Sequence, residues 1–391
     1  MAESKIINNA ARVLKLVAAG TPADQALRES LTQDRHYTAP GERRGISRAV
    51  FTYYRWWRWL DAMESPQVQL AAALDLQARF DKSPATFKPE ALAARAVPDW
   101  LKDEMHWPEV GAVAPNGPKG LEGKRPCPTE AAWLQHLQHE PALWIRAKAG
   151  TGVALTKKLS HFFPAPQSPD ALRYTGITDL YRTPEFQAGE FEIQDLASQL
   201  VGLAAAPKPG ETWWDACAGE GGKTMHLSDL MQNKGLLWAS DRSVRRLAKL
   251  KERAARAKVF NFRAAPWEGD AKLPTKTKFD GILVDAPCSG VGTWQRNPHA
   301  RWTTTPKDVH ELAAVQRKLL DNVAGSLKPG GRLVYAVCTL TRAETTAVAD
   351  AFTAAHPELA PDAVMGRTPQ LTLWPQDLNA NGMFIAAWKK R

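Results

Sequence analysis

The stretch Thr212-Trp-Trp-Asp215-Ala-Cys217-Ala218-Gly219-Glu220-Gly221-Gly222-Lys223-Thr224 decides the fold. An apolar run enters a glycine-rich turn, and a helical segment follows over 223–232. Strand, glycine turn and helix in that order open an α/β sheet whose ligands bind at the carboxyl ends of its strands. Working toward the C-terminus, short apolar runs recur at 236–240, 259–264, 282–284 and 333–337, and helical segments at 243–257 and 307–325 separate most of them. This alternation predicts a mostly parallel, doubly wound, Rossmann-like sheet over 207–391.

Glycines in the turn let backbone approach a ligand closely, and the free N–H groups at the helix start favour an anion. Two rival loops fail on spacing. A P-loop needs a glycine five residues before Gly222-Lys223-Thr224, where Cys217 stands. A dinucleotide fingerprint needs a further glycine after Gly219 and Gly221, at a position held by Thr224. In an S-adenosylmethionine enzyme the anion is the carboxylate of the methionine moiety. Asp241, ending the second strand, is spaced to bind ribose hydroxyls; it also suits a helix N-cap. Asp270, after the third strand, fits either a place near an adenine or a plain turn.

Two cysteines sit at predicted strand ends. Cys288 follows the fourth strand in Asp285-Ala-Pro-Cys288-Ser-Gly, and Cys338 follows the fifth in Val-Tyr-Ala-Val-Cys338-Thr-Leu-Thr. Both therefore face the crevice of the glycine turn. A thiolate there suits methylation of a cytosine. Carbon 5 is a poor nucleophile until a thiolate adds at carbon 6 and makes the ring an enamine. Thr341-Arg-Ala-Glu344 reads as a capping box, so a helix is expected to begin just after Cys338 and stabilise its thiolate. Cys288 precedes a glycine-rich loop with weaker helix support. Cys217 lies inside the glycine turn and reads as packing. The loop 292–302, with Arg296, Arg301 and Trp302, could hold RNA phosphates and stack a base, or be a plain surface loop.

The rest of the chain supplies context. Residues 1–95 read as a helical domain, with Arg48, Arg55 and Arg58 among aromatic residues, partly core and partly a basic edge suited to RNA. Residues 96–139 read as a linker, because 108–128 alone hold five Pro and four Gly. Residues 140–206 read as a small α+β module. The net charge of +10 favours a polyanionic partner, and the 15 Trp add surface for base stacking. The four cysteines, Cys127 included, form no CxxC pair, so neither a disulfide scaffold nor a metal site is expected. No apolar run spans a membrane and no signal peptide opens the sequence, so a cytoplasmic protein without a membrane partner is expected.

Together these motifs resemble the RNA (cytosine-5) methyltransferase family, in particular its bacterial Sun/Fmu-like ribosomal RNA branch. The likeness runs from about residue 140 onward through GEFEIQDLASQ, DACAGEGGKT, DAPCSGVGTWQRNP, VYAVCTL and the closing Leu373-Trp-Pro-Gln-Asp377 to Ala386 segment. The resemblance implies an S-adenosylmethionine-dependent methyltransferase domain, preceded by an RNA-recognition-like module and a helical domain. It implies that Cys338 is the nucleophile and that Cys288 helps release the product. It places Asp285 beside cofactor and cytosine, and Lys223 near the cytosine or the cofactor's carboxylate. It lines the cofactor site with Cys217, Ala218, Gly219, Glu220, Gly221, Gly222, Lys223, Asp241, Asp270 and Asp285. Glu220 departs from the family's usual proline, and His299 from its usual aspartate. The expected protein is a monomer acting on ribosomal RNA. The alternatives are a tRNA methyltransferase, a reversed use of the two thiols with Cys288 as nucleophile, and an inactive RNA-binding assembly factor.

Overall fold

A computed structural model describes residues 2–33, 40–105, 107 and 129–391. Cys127 and all of the Pro/Gly-rich stretch 108–128 lie outside the described residues. The chain divides into two compact units. The first takes in described residues up to Asp103 together with Thr129–Pro141 and Thr293–Thr304. It is helical, with helices Ala2–Ala18, Ala23–Gln33, Pro40–Trp56, Pro66–Lys82, Pro89–Arg95 and Glu130–His136. Ala10, Val13, Leu14, Ile46, Val50 and Leu70 fall on facing helical stripes and make one core.

Within this unit the expected basic edge is largely committed to internal partners. Arg55 is buried and donates to Gln77 and Thr52. Arg48 pairs with Glu140, and Arg58 with Asp99 at 3.1 Å. In the loop 292–302, Arg301 and Trp302 depart from the RNA-contacting expectation for the same reason, whereas Arg296 is exposed. Arg301 is fully buried and donates to the carbonyls of Trp294, Ala96 and Leu137. Trp302 donates its indole N–H to Tyr54 O at 2.7 Å. A guanidinium buried among carbonyl acceptors satisfies backbone that would otherwise be orphaned.

The second unit carries, among the described residues, two sheets. The smaller is antiparallel, in the order β2-β3-β1-β4, with β1 Leu143–Ala147, β2 Phe162–Ala165, β3 Ser168–Tyr174 and β4 Phe191–Ile193. The larger contains β5 Thr212–Asp215, β6 Leu236–Asp241, β7 Phe262–Pro266, β8 Phe279–Asp285, β9 Leu327–Val337, β10 Leu359–Pro361, β11 Gln370–Leu373 and β12 Met383–Lys390. Its order is β10-β12-β9-β8-β5-β6-β7, with β11 paired to β12. Strands β5 to β9 run parallel, and β12 is inserted antiparallel beside β9. This is a doubly wound, Rossmann-like arrangement. The third apolar run starts at Phe262 rather than Val259. Lys258 turns left-handed at the end of helix Val244–Arg256 and leaves Val259 buried against that helix.

Helix Leu196–Ala205 is apolar nearly all round because it is covered on both sides. Trp144 and Ala171 of the small sheet and Leu283, Val334 and Ile385 of the large one join it in a single cluster. Polar ties follow the same route. Arg146 bonds Gln194 and pairs with Asp229 at 2.7 Å, and Gln194 donates to Gly222 O at 3.3 Å. The small module is thereby anchored to the helix that follows the glycine turn.

Candidate active site

The order reverses between β5 and β8: the chain leaves β5 toward β6 on one side and returns to β8 on the other. Such a switch point opens a crevice at the strands' carboxyl ends. The glycine turn fills the end of β5. Gly219 and Gly221 have φ of +55° and +84°, values an L side chain resists. Gly221 stands at the N-cap of helix Gly222–Leu230. Asp241 ends β6 and accepts the Gly219 N–H at 2.9 Å, the Ser243 N–H at 2.8 Å and Arg246 Nη1 at 3.4 Å. The N-cap of the following helix is Ser243, so Asp241 holds the glycine turn rather than capping that helix. Asp270 lies in the turn after β7, where its carboxylate accepts the Lys272 N–H at 3.1 Å.

Asp215, at the end of β5, is fully buried. Burial raises its carboxyl to about 7, against the opposing hydrogen bond from Thr224 Oγ1 at 2.6 Å. Lys223 pairs with Asp285, which ends β8, at 2.7 Å. Burial alone would lower the Lys223 ammonium, but the Asp285 charge and hydrogen bond hold it above its usual value. Burial pushes the Cys217 thiol up, in keeping with a packing role.

Cys288 Sγ and Cys338 Sγ lie 3.3 Å apart. The β8–β9 register pairs Asp285 with Ala336, which sets the two following loops side by side. When Cys338 is ionised only the Cys288 S–H can donate across this contact, and that hydrogen bond holds the Cys338 thiol below its usual value, with the Lys223 charge adding and burial and Asp285 opposing. Cys288 is pushed the other way, first by that same hydrogen bond, then by burial and by the charges of Cys338 and Glu344.

This corrects the capping-box expectation. Thr341 makes no side-chain cap, Arg342–Glu344 is a single 3-10 turn, and the helix proper is Thr346–Ala355. Glu344 turns inward instead and accepts from Ser289, Thr339, Thr341 and Gln316. The neighbouring thiol, not a helix start, is the main influence lowering Cys338. The loops are also clamped through backbone. Gly292 N donates to Cys338 O at 3.1 Å and Gly382 N to Gly292 O at 2.7 Å. A Cβ on Gly292 would meet Gly382 O at 2.3 Å, so the close approach requires glycine.

Residues 202–389 match the 16S rRNA methyltransferase RsmB/F family model. A curated relative from Synechocystis sp., named probable ribosomal RNA small subunit methyltransferase B, is 36% identical over 237 residues, 57% of this chain and 53% of the relative. The protein of the same name from Bacillus subtilis is 38% identical over 221 residues, 53% of this chain and 49% of the relative. The match thus spans about half the length of these relatives. The crystal structure of PH0851 shares the fold with a TM-score of 0.76 over 99% of both chains, at 23% identity.

Within the matched residues 202–389, Lys223, Asp285, Cys288 and Cys338 come together at the switch point, and Cys217 to Gly222 with Asp241 form the adjoining turn. Three contributors escaped the sequence reading: Asp215, Arg246 and Glu344. Asp215 was legible as a strand-end carboxylate. Glu344 is visible in the sequence, where its spacing from Thr341 resembles a cap.

Proposed function

We propose that this chain is an S-adenosylmethionine-dependent RNA (cytosine-5) methyltransferase, acting on ribosomal RNA as a cytoplasmic monomer. The supporting observation is the thiol pair, 3.3 Å apart beside the Lys223–Asp285 ion pair. Such a pair is suited to making a covalent bond to a base and then breaking it.

The residues around the glycine turn suit the cofactor. Asp215 Oδ1 is buried without a hydrogen-bond partner, and the positive-φ glycines leave backbone without Cβ atoms at a helix start. Cys217, Ala218, Gly219, Glu220, Gly221, Gly222 and Lys223 would cradle the methionine end. Asp241 would take the ribose, Asp270 the adenine, and Asp285 would lie beside both cofactor and cytosine. When bound, S-adenosylmethionine supplies an electrophilic sulfonium methyl to carbon 5.

Cys338 adds as thiolate to carbon 6, and its electron pair makes carbon 5 nucleophilic. Lys223 and Asp285 hydrogen-bond and orient the base. After methylation the carbon-5 proton passes to water, the carbon 5–carbon 6 double bond re-forms, and the Cys338 thiolate is expelled. The Cys288 S–H stabilises that departing thiolate by the hydrogen bond already formed in the resting protein.

The test is tritiated methyl transfer to purified RNA pools, bisulfite sequencing of RNA with and without the protein, and trapping of a covalent adduct. Cys338→Ala is expected to abolish the adduct, and Cys288→Ala to accumulate it. An adduct that needs Cys288 and not Cys338 reverses the two roles. Incorporation confined to tRNA moves the substrate, and no incorporation into any RNA leaves a binding factor.

A further inference from the structure

Glu344 has no part in the chemistry just described, yet its carboxylate touches both thiol-bearing loops. It is fully buried at the back of the site. One oxygen accepts the Ser289 backbone N–H at 2.8 Å and Gln316 Nε2 at 3.0 Å. The other accepts the Ser289 hydroxyl, Thr341 Oγ1 at 2.9 Å and Thr339 Oγ1 at 3.2 Å. Ser289 adjoins Cys288, and Thr339 adjoins Cys338. Gln316 Nε2 also donates to Pro287 O at 2.9 Å, and Tyr335 Oη, with one proton to give, lies 2.6 Å from Glu344 O and 2.9 Å from Gln316 Oε1. A surface capping carboxylate would not be enclosed by neutral donors from three separate segments. A buried carboxylate is costly unless every lone pair is met, and so it over-determines the geometry around it.

We propose that Glu344 is a positioning residue that locks the Cys288 and Cys338 loops together, with its charge anchored on the backbone N–H next to Cys288. This rests on the reading that the two thiols are the working pair. The charged or titratable groups that bear on the pair are Lys223 and Asp285 at the crevice, with Glu344 and the buried phenol of Tyr335 behind it. The negative charge behind Cys288 favours its protonated form, leaving Cys338 as the thiolate it bonds.

Glu344→Gln removes the charge and keeps one acceptor oxygen. Ser289→Ala and Thr341→Val keep the charge and remove one donor each. Iodoacetamide alkylation of each cysteine, followed across pH by peptide mass spectrometry, needs neither RNA nor cofactor. It therefore tests Glu344 whether or not the methylation reading holds. In Glu344→Gln, alkylation of Cys288 at pH 8 is expected to rise about five-fold relative to wild type, narrowing its lag behind Cys338. Ser289→Ala and Thr341→Val are expected to leave that order unchanged. All three are expected to lower kcat, by up to about 100-fold for Glu344→Gln, with KM for RNA within about two-fold. A Glu344→Gln alkylation profile that overlays the wild type overturns the proposal. If Glu344→Gln does not fold, wild-type kcat in both Ser289→Ala and Thr341→Val overturns it.

Discussion

Replacing Cys288 by Ala should make Cys338 a slower nucleophile even though no atom of Cys338 changes. The Cys288 S–H, with its sulfur 3.3 Å away, is the largest influence lowering the Cys338 thiol. A hydrogen bond to a charged acceptor contributes about 1.5–3 kcal/mol, and a thiol, being a weak donor, belongs at the lower end. Losing about 1.5 kcal/mol reduces the thiolate fraction about 12-fold at pH values below the titration. The more basic thiolate that remains is intrinsically more nucleophilic, with a Brønsted slope of about 0.4–0.5, which recovers part of the loss. The net expectation is an alkylation rate of Cys338 at pH 7 lowered about four-fold, with the pH midpoint moved upward. Cys288→Ser restores a donor and should recover much of the rate. Iodoacetamide kinetics on the Cys338 peptide from pH 5.5 to 10 measure both. A midpoint in Cys288→Ala equal to or below the wild-type one would falsify the donor assignment. So would an identical deficit in Cys288→Ser, which would point to packing instead.

Asp215 is raised to about 7 in the folded protein against an unfolded value of 3.8. Its burial therefore costs nothing below about pH 4, and the cost accrues as pH rises toward 7, to an upper limit of about 4 kcal/mol. Asp215→Asn should gain stability over wild type at pH 8 but not at pH 4, and equal differences in Tm at the two pH values would refute this. Arg301→Met leaves the carbonyls of Trp294, Ala96 and Leu137 without their donor, a loss of about 3 kcal/mol in urea unfolding. An unchanged midpoint with weakened RNA binding would return Arg301 to the RNA-contacting role the sequence suggested.

Local signals were legible where chemistry and backbone need coincide. The glycine turn at 219–222 declares itself because its positive-φ positions and close packing tolerate few residues. The parallel strands other than β7 read correctly because strands buried on both faces become continuous apolar runs, whereas β7 is only partly buried and its start was misplaced. Misreadings came where one pattern serves two burial states. Arg55 and Arg301 look like surface cations in sequence, and only the surrounding carbonyls and amides reveal them as internal donors. Thr341 and Glu344 have capping-box spacing, but that motif is local, and the pull on Glu344 came from Ser289 and Gln316, distant in the chain.

Composition, strand spacing and the glycine turn were enough to indicate the parallel part of the sheet, its crevice and the placing of both cysteines at strand ends on the crevice side, but not the antiparallel insertion of β12. Those features follow from periodicity and backbone sterics within a few residues. The separation of the two sulfurs, the pairing of Lys223 with Asp285 and the inward turn of Glu344 were decided by strand register between segments about 50 to 60 residues apart. A one-residue slip of β8 against β9 would separate the thiols without changing any local pattern, so this level of detail belongs to the tertiary structure alone.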